Sequence, residues 1–582
     1  MSGSILSRVK AGGRRLPLVP LISYYAVNIY IGVKKVFLLG GERLTREQKA
    51  LLELNRLKWA KLDVHESQRD GYVLMDALLD NPIFYLASAV VGKHIGYKKN
   101  LGVLFLLPIF HDRKAKKICA SYRPDGFVYL NLKRLDPGIR SRSFRDARRI
   151  CRETKTGEEL LKLEYEGILI GDLIYDSYLR RTREGTIDKV GPELFGFIHD
   201  AVMTKKYYDK LFRKYKISAV VMASMAYTEG GLLARVAVKN GVEVYLTRRK
   251  PPVSLTVRRY RDMGEIRTYD GRPGASLVDY IYDECQEEAV KAAEVYLKKR
   301  MEPEYPELKG VDYFYPYGSS KTLLGKDEVV EMLGLNARKP MVVIMSHALT
   351  DAVHSSNWWL FRDYLTWLRE TLGFVRNCDN ANWLVKVHPH AETYDCRQKE
   401  EQEVERITRG LSSHTIRLLP KDINSKSLLD FADVIITARG SAGLEFSCFG
   451  IPCILAAESV YSGFGFSIEP GSREEYFEML RKVEEIGRLS AEEINRAKVL
   501  AYIHFILLGA DTSFLSPDMP HIGKFDWNKL WWGEMYKNTQ KTDPLADPFY
   551  MKFDKFLDSD ATHLLNRPEF YNAKGKREQW IK

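Results

Sequence analysis

Short apolar, β-rich runs alternate with helical patterns through most of the chain. The runs are LGVLFLLPIF (101–110), SAVVMA (218–223), VEVYLT (242–247), MVVIMS (341–346), WLVKVH (383–388), DVIITA (433–438) and PCILAA (452–457). Helical patterns such as GLLARVAVKNG and LFRDYLTWLRETLG lie between them. Between two parallel strands the chain must cross back to the end of the sheet where the first strand began, and a helix usually makes this connection. Strands that alternate with helices therefore predict parallel sheets. The pattern therefore predicts an α/β fold with doubly wound parallel sheets.

The length of the chain, 582 residues, allows several domains. A stretch rich in Pro, Tyr and Gly (PEYPELKGVDYFYPYGSS) separates two groups of predicted strands. We expect an N-terminal extension over residues 1–100 and a first Rossmann-like domain over 101–320. A second Rossmann-like domain is predicted over 335–512, followed by a C-terminal tail over 513–582.

The N-terminal segment LPLVPLISYYAVNIYIGV (16–33) carries no charge and is flanked by Arg and Lys. Its length is at the lower limit for a membrane span of about 18 residues, and two prolines and an asparagine oppose spanning. The basic flanks favour a segment that lies on an anionic bilayer surface. A buried helix and a true span remain open alternatives. We expect the protein in the cytoplasm, at the inner face of the cell membrane if this segment touches it.

The amino-acid composition limits which binding partners and which cellular compartment we expect. Lys and Arg outnumber Asp and Glu by 89 to 76, which gives a net charge of +13 and predicts an anionic partner. No motif for nucleic-acid binding accompanies the charge, so nucleic acid is not expected. The seven cysteines are scattered and form no C-x-x-C pair. This usage excludes a disulfide framework or a zinc ribbon and is typical of a reducing compartment.

Two basic clusters concentrate the positive charge in the first predicted domain. Residues 131–155 contain nine Lys or Arg and three acids, and residues 248–261 contain six Lys or Arg and no acid. Arginine suits bidentate contacts with phosphate or carboxylate. The clusters are interpreted either as a site for a lipid phosphate or anionic glycan, or as an ordinary solvated face.

Polar residues follow three predicted strands of the second domain, and ligands of open α/β sheets bind beyond the carboxyl ends of the strands. After DVIITA comes a glycine-rich turn in which backbone N–H groups can approach a phosphate and a glutamate can reach a ribose. After WLVKV comes His388-Pro389, and after MVVIMS comes His347. A ligand-free turn and structural histidines are the alternatives. The candidate donor-binding residues are Lys386, His388, His347, Arg439, Gly440, Ser441, Gly443 and Glu445.

The strings WLVKVHPH and ADVIITARGSAGLEFSCFGIPCILAAESVYSGFGFSIEP resemble the donor-binding half of bacterial GT-B glycosyltransferases of the capsule and surface polysaccharide class, such as the capsular Kdo transferases. A more distant likeness is to bacterial sialyltransferases with an HP motif and a Ser/Thr motif. The resemblance covers residues 340–510. It implies a GT-B fold, in which two Rossmann-like domains face a cleft, and a helix RAKVLAYIHFILLG that crosses back to the first domain.

The resemblance also implies roles for the candidate residues. His388 and Ser441 would hold the phosphate of a CMP-linked sugar, Gly440 and Gly443 would shape the loop, and Glu445 would lie near the nucleotide ribose. The acidic D/E-D/E-G motif of the sialyltransferases is found at no clear place in the chain. Its absence leaves the catalytic base and the sugar unassigned.

A glycosyltransferase needs a general base, because the acceptor hydroxyl loses its proton as it attacks the anomeric carbon. Asp172 and Asp176 are spaced i,i+4 in GILIGDLIYDSYLR and can share one helical face. Glu229 precedes two glycines after the strand SAVVMA. Asp172 is the preferred base, with Glu229 and Asp176 as further candidates. The alternative role for Asp172 is a helix cap.

The sequence therefore predicts an enzyme, a glycosyltransferase that transfers a sugar from a nucleotide-sugar donor to a glycan or lipid-linked acceptor. No cofactor and no catalytic metal are expected. The D-x-D at Asp558-Ser559-Asp560 lies in the predicted tail rather than after a strand and is attributed to chance. A nucleotide-sugar 2-epimerase, a glycerophosphotransferase and a non-catalytic scaffold of a polysaccharide assembly complex are the alternative functions.

Overall fold

Two parallel β-sheets organise the chain in the computed structural model, which describes Tyr24, Ala26 and residues 44–79, 81–111, 113–250, 253–268, 271–302, 317–318, 321–389, 391, 396–409, 416–515 and 527–572. The strands are β1 (Tyr72–Asp76), β2 (Gly102–Pro108), β3 (Gly126–Leu130), β4 (Glu164–Tyr165), β5 (Ile168–Leu169), β6 (Ile217–Met222), β7 (Glu243–Lys250), β8 (Val253–Tyr260), β9 (Met341–Met345), β10 (Asn382–Lys386), β11 (Ile416–Leu418), β12 (Val434–Thr437) and β13 (Cys453–Leu455).

The α-helices of the described residues connect these strands and extend beyond them. They are α1 (Arg46–Lys58), α2 (Pro82–Lys98), α3 (Arg113–Ser121), α4 (Pro137–Glu153), α5 (Gly157–Leu161), α6 (Gly171–Thr182), α7 (Phe195–Lys214), α8 (Tyr227–Lys239), α9 (Met263–Arg267), α10 (Ala275–Arg300), α11 (Lys326–Leu333), α12 (Tyr364–Val375), α13 (Glu400–Thr408), α14 (Leu428–Phe431), α15 (Ala442–Ser447), α16 (Arg473–Arg481), α17 (Ala491–Tyr502), α18 (Trp527–Lys541) and α19 (Pro548–Leu557).

The first sheet has the strand order β3-β2-β1-β6-β7-β8. All neighbouring strands are parallel except β7 and β8, which form an antiparallel hairpin at one edge. Strands β2 and β3 are added on one side of β1, and β6, β7 and β8 are then added on its other side. The point where the order reverses, between β1 and β6, is where ligands of such sheets bind.

The second sheet has the order β11-β10-β9-β12-β13 and is parallel throughout. Its order reverses between β9 and β12. The predicted fold class, α/β with two Rossmann-like parallel-sheet domains, is confirmed by these two sheets. All seven runs predicted as strands are strands in the structure.

Apolar side chains cover both faces of each sheet, as a doubly wound fold requires. In β1, Leu74 faces one hydrophobic cluster and its neighbours Val73 and Met75 face another. The cluster that contains Leu74 continues into the second sheet through Val342 and Ile344. The two domains therefore share one continuous hydrophobic core.

The first sheet begins before residue 100, within the segment predicted as an extension. β1 is a central strand, and α2 packs on it as the connection to β2. Asn81 starts α2 by accepting a hydrogen bond from the Ile83 N–H, and Pro82 supplies the fixed φ that suits a first helical turn. The sequence pattern overlooked six strands, β1, β3, β4, β5, β8 and β11, because each is short or carries charge.

The C-terminal segment, predicted as a tail, packs on the first domain. The chain crosses back after α17, since Ala510 pairs with Leu255 of β8 as the resemblance implied. Helix α19 buries its aromatic side chains in the core beneath the first sheet, and these are Phe549, Tyr550, Phe553 and Phe556. Its Asp554 accepts a hydrogen bond from His94 of α2 at 2.8 Å. Helix α19 is thus part of the first domain, whereas Leu565 and Phe570, which follow it, pack in the cluster that contains strands of the second sheet.

The basic cluster 248–261 forms part of the β7–β8 hairpin and is largely structural. Arg258 and Arg259 are buried, with 7% and 3% of their surface exposed. The Arg259 guanidinium donates to backbone carbonyls of the C-terminal segment, including Ala561 at 2.8 Å. Because they are buried, Arg258 and Arg259 are unavailable to an acceptor, whereas Arg248 of the same cluster is exposed.

The predicted membrane segment 16–33 lies outside the described residues except for Tyr24 and Ala26. The Tyr24 ring packs against Phe197 of α7 at 4.8 Å, and its hydroxyl donates to Asp200 at 3.1 Å. Within the part of the chain that the structure describes, no helix combines the length and the apolar character needed to span a bilayer.

Replacing Phe553 by Ala tests whether the C-terminal helix belongs to the core of the first domain. Phe553 is fully buried, so the lost contacts and the resulting cavity should lower the free energy of unfolding by about 3–5 kcal/mol. Met551→Ala on the same helix is the matched control, because 64% of Met551 is exposed. Chemical denaturation of both variants is the measurement. Equal stabilities would show that α19 contributes nothing to the fold.

Candidate functional site

The reversal point of the second sheet brings together the loops that follow β9, β10 and β12. His347 follows β9, and its Nε2 lies 2.9 Å from the Thr437 hydroxyl at the end of β12. The Arg439 N–H donates to the same nitrogen at 3.3 Å. The rings of His347 and His388 lie 6.4 Å apart. The predicted donor-binding positions after these three strands therefore converge at one place.

His347 is a buried, neutral member of this site. Its ring stacks on Tyr364 with the centroids 4.3 Å apart. Burial holds the pKa of His347 well below its usual range, and the charges of His388 and Arg439 lower it further. A neutral imidazole that accepts from the Arg439 N–H fixes the start of the glycine-rich loop. We assign His347 this shaping role in the loop.

His388 is half-buried at the carboxyl end of β10. Its backbone N–H donates to the Ser346 hydroxyl at 2.8 Å, and that hydroxyl lies 3.4 Å from Oε1 of Glu400. Glu400 is the first residue of α13 and is only 2% exposed. Burial raises the pKa of Glu400 to about 7, with a further contribution from the charge of Glu401. Ser346 and Glu400 thus support the backbone that presents His388.

The loop from Arg439 to Gly443 is shaped by close packing. A Cβ atom at Gly440 would lie 2.9 Å from the Thr437 hydroxyl, and one at Gly443 would lie 1.9 Å from the Tyr461 hydroxyl. No side chain fits at either position, so both glycines are required for the turn. Ser441 is exposed, and its hydroxyl donates to Glu445 at 3.1 Å.

Arg439 is buried and organises the neighbouring loop. Its Nε donates to the Tyr364 hydroxyl at 2.7 Å, and its Nη2 donates to the Ala352 carbonyl at 2.8 Å and the Ser355 hydroxyl at 2.9 Å. These contacts join the loop after β12 to the loop after β9. These hydrogen bonds hold the Arg439 side chain in place between the two loops.

Glu445 and Lys386 both form contacts inside the protein, away from the exposed carboxyl edge of the second sheet. Glu445 is 2% exposed, accepts from the Tyr317 hydroxyl at 2.6 Å and pairs with Arg300 at 3.1 Å. Lys386 donates to the Ile423 carbonyl at 2.9 Å, and burial lowers its pKa to about 8. The structure therefore places the ribose candidate and the lysine candidate in internal networks rather than at the surface of the site.

The reversal point of the first sheet contains a carboxylate that sequence reasoning missed. Asp76 ends β1 and is 4% exposed. It accepts from the Leu78 N–H at 2.7 Å and from the backbone of Ala223, which follows β6. Burial raises the pKa of Asp76 to about 6, although these backbone donors oppose the rise. Asp76 joins the two central loops of the first domain.

Asp172, the preferred base in the sequence analysis, is paired with an arginine. Both of its carboxylate oxygens accept from Arg235 of α8, at 2.7 and 2.5 Å, in the bidentate geometry typical of such pairs. Asp172 is 8% exposed. This pair occupies both oxygens of the Asp172 carboxylate and joins α6 to α8.

Asp176 lies one turn further along α6 and reaches the second domain. Its oxygens accept from His354, at 2.6 Å from the ring Nδ1 and at 3.0 Å from the backbone N–H. The other ring nitrogen of His354 lies 2.8 Å from the Arg362 carbonyl. Both nitrogens face acceptors, so the ring is an imidazolium. Burial alone would lower the pKa of His354, but Asp176 outweighs it and raises the pKa.

The loops at the carboxyl ends of the two sheets also touch directly. The Tyr227 hydroxyl, after β6, donates to Asp351, after β9, at 3.0 Å. Tyr227 has a left-handed φ of +64°, which is unfavourable for a residue with a side chain and is concentrated at functional sites. A further contact joins the Tyr175 hydroxyl to Asp363 at 2.5 Å. The two reversal points therefore face each other across the domain junction.

Glu229 differs from the two aspartates in being exposed, in the first turn of α8. In the described part of the chain its carboxylate has no ion pair. Its charge contributes to the environment of Asp200 on α7, whose pKa is raised to about 7, chiefly by burial. Of the three predicted bases, Glu229 alone offers an accessible carboxylate beside the domain junction.

Sequence reasoning missed Ser346, Glu400, His354 and Asp76. Each of these residues forms a hydrogen bond with a residue that is distant in the sequence, and such a contact cannot be predicted from local residue spacing. Asp76 had one available signal, the polar residue at the end of the apolar run YVLM. Its strand was assigned to the N-terminal extension, so the signal was not used.

A cavity of about 380 Å³ lies at the opposite, amino edge of the first sheet. Its walls carry three basic and two acidic side chains. Lys93 and Arg123 share Asp63 at 2.8 and 2.6 Å, and Arg69 pairs with Asp125 at 2.5 Å. It is remote from both reversal points and is assigned no part in the site. The described residues contain no cluster of three or more His, Cys, Asp or Glu side chains suited to hold a metal ion.

Comparison with known proteins gives structural likeness only. No family model and no curated protein matches the sequence. Among solved structures, KpsC of Thermosulfurimonas dismutans, a β-Kdo 2,4-transferase, is similar over 48% of this chain and 79% of its own, at 15% identity and a TM-score of 0.29. A UDP-GlcNAc 2-epimerase from Neisseria meningitidis is similar over 74% and 99%, at 9% identity and a TM-score of 0.23. At these values the likeness assigns neither a family nor an activity to the chain.

Glu400→Gln tests the buried carboxyl beneath His388. Because burial holds the pKa of Glu400 near 7, the folded protein binds this proton more tightly than the unfolded chain, and wild-type stability falls as pH rises through the range between the two pKa values. The glutamine variant lacks this loss. The difference in free energy of unfolding between the variant and wild type should therefore shift by about 2 kcal/mol in favour of the variant as the pH rises from about 5 to about 8.

Denaturant unfolding of wild type and variant at the two pH values measures this gain. The exposed Glu331→Gln serves as the control and should show no such difference. A constant difference between wild type and Glu400→Gln across the range would mean that Glu400 ionises normally.

Proposed function

We propose that the protein is a GT-B-type glycosyltransferase that transfers a sugar from a nucleotide-sugar donor, with a CMP-linked sugar as the first choice, to a surface glycan or lipid-linked acceptor. The observation that carries the proposal is the meeting of the two reversal points, where Tyr227 of the first domain contacts Asp351 of the second. A donor held by one sheet edge would then face an acceptor held by the other.

The donor would bind at the second sheet. His388 is half-buried and Ser441 is exposed beside the glycine-rich loop, so both can approach a phosphate. As the bond between the anomeric carbon and the phosphate oxygen breaks, these donors would stabilise the negative charge that develops on the leaving nucleotide.

The acceptor would bind at the first sheet, with Glu229 as the general base. Its carboxylate would take the proton from the acceptor hydroxyl as the new bond to the anomeric carbon forms. Asp172 and Asp176 are occupied by Arg235 and His354 and would maintain the shape of the acceptor side. The proposal requires no metal at either step.

His388→Ala should weaken binding of CMP by about tenfold, the effect of losing one hydrogen bond to a charged group. Calorimetric titration of the variant and wild type with CMP, CDP and UDP is the measurement. His65→Ala, at an exposed position of the first domain, is the matched control and should bind as wild type does. If His388→Ala binds every nucleotide with unchanged affinity, His388 does not contact the donor.

Glu229→Gln should lower kcat for sugar transfer by a factor of about 10²–10⁴ and leave nucleotide affinity unchanged, because the base acts only in the chemical step. Glu53→Gln on α1, an exposed and remote position, is the control. Transfer is followed by product analysis with a panel of donors, with and without a glycan acceptor. Full turnover by Glu229→Gln would remove it as the base, and a new sugar epimer formed without acceptor would contradict the transferase proposal.

A further inference from the structure

Helix α4 presents a row of arginines on the face opposite its buried side. Ser143, Ala147 and Ile150 are buried where α4 packs on α7. On the opposite side of the helix five arginines are exposed, together with Ser141, and these arginines are Arg142, Arg145, Arg148, Arg149 and Arg152. We call this set the arginine face.

The charge of the arginine face is weakly compensated. Arg149 and Arg152 lie 3.7 and 3.5 Å from the single acid Glu153. Within the described residues, Arg142, Arg145 and Arg148 form no ion pair. Like charges three and four residues apart on a helix repel each other and destabilise it. An anionic ligand on this face would relieve the repulsion.

The arginine face begins at the edge of the sheet where the acceptor would bind. β3 ends at Leu130, and exposed Lys133 and Arg134 lie between it and α4. The ends of β3 and β6 are three strand spacings apart, or about 14 Å. From Arg142 to Arg152 the face extends about 15 Å further. A basic path therefore leads from the proposed acceptor side along the flank of the first domain.

We propose that the acceptor is an anionic glycan chain, whose sugars carry carboxylate or phosphate groups, and that the arginine face binds the part of this chain that extends beyond the reaction centre. This inference rests on the proposed function. The planar guanidinium suits a carboxylate or phosphate because it donates two parallel hydrogen bonds. Successive arginines along one face match a ligand with repeated negative charges.

A glycan fits this face better than a bilayer or a nucleic acid. A helix that lies in a bilayer inserts apolar side chains, whereas the apolar side of α4 is packed on α7 and no large apolar residue of 131–155 is exposed. Single-stranded nucleic acid binds to basic surfaces through stacking on aromatic side chains, and the arginine face has none. The other basic cluster, 248–261, offers a shorter exposed surface, because its Arg258 and Arg259 are buried.

The test compares two triple variants of the full chain. One removes three charges of the arginine face (R142Q, R145Q and R148Q), and the other removes three exposed charges of the second domain (K326Q, R338Q and R409Q). Binding is measured by fluorescence anisotropy with labelled polygalacturonate oligomers, and neutral dextran oligomers of equal length are the uncharged comparison. Vesicles containing phosphatidylglycerol and single-stranded DNA are the competing ligands.

We expect wild type to bind polygalacturonate but not dextran, with an affinity that falls as salt is added. The arginine-face triple should bind at least about tenfold more weakly and show a smaller salt dependence, while the control triple binds as wild type does. Equal binding by the two triples, or tighter binding of wild type to vesicles or DNA than to the glycan, would overturn the proposal.

The same variants separate this inference from the proposed function. Loss of glycan binding with unchanged CMP binding assigns the defect to the acceptor face. If wild type binds no nucleotide, the proposed donor site fails, and the glycan measurements still decide whether the arginine face binds an anionic chain.

Discussion

The parallel pairing of β9 with β12 determines the candidate site more than any other interaction. The register places Met345 opposite Thr437, so both strands end at the same level. His347, which follows β9, thereby lies 2.9 Å from the Thr437 hydroxyl and accepts from the Arg439 N–H. Because parallel strands direct all their carboxyl ends to one edge, three loops that are distant in the sequence meet there. A shift in this register would separate them.

The second constraint is the junction between the domains, which uses buried charge. Asp176 and the imidazolium of His354 form an ion pair at 2.6 Å across the junction, and the Tyr175 hydroxyl donates to Asp363 nearby. Burying charges is costly unless each has a partner, so these groups fix how the two domains meet. Asp176 is thus paired with His354, and Asp172 is paired with Arg235. The two aspartates that the helical spacing singled out therefore form contacts that hold helices and domains together, whereas Glu229 is exposed.

The two basic clusters show that runs of arginine can serve different purposes. Arg259 is buried and donates to carbonyls of the C-terminal segment, which holds that segment on the edge of the first sheet. Five arginines of α4, which form the arginine face, are exposed and lie on one side of the helix. Burial decides the difference, because a guanidinium that already satisfies carbonyls cannot also bind a ligand, whereas an exposed row of them attracts anions.

The sequence by itself determined the fold class and the places where loops would carry polar groups. Alternating apolar runs and helical patterns are local signals, so the predicted strands, the glycine-rich turn and the convergence of His347, His388 and Ser441 followed from them. Only the tertiary structure decided which side chains are available. Glu445 and Lys386 are engaged by Arg300 and by the Ile423 carbonyl, and such partners come from remote segments that no spacing reveals. For the same reason the central strand β1 and the docked helix α19 could not be assigned to the first domain from their local pattern.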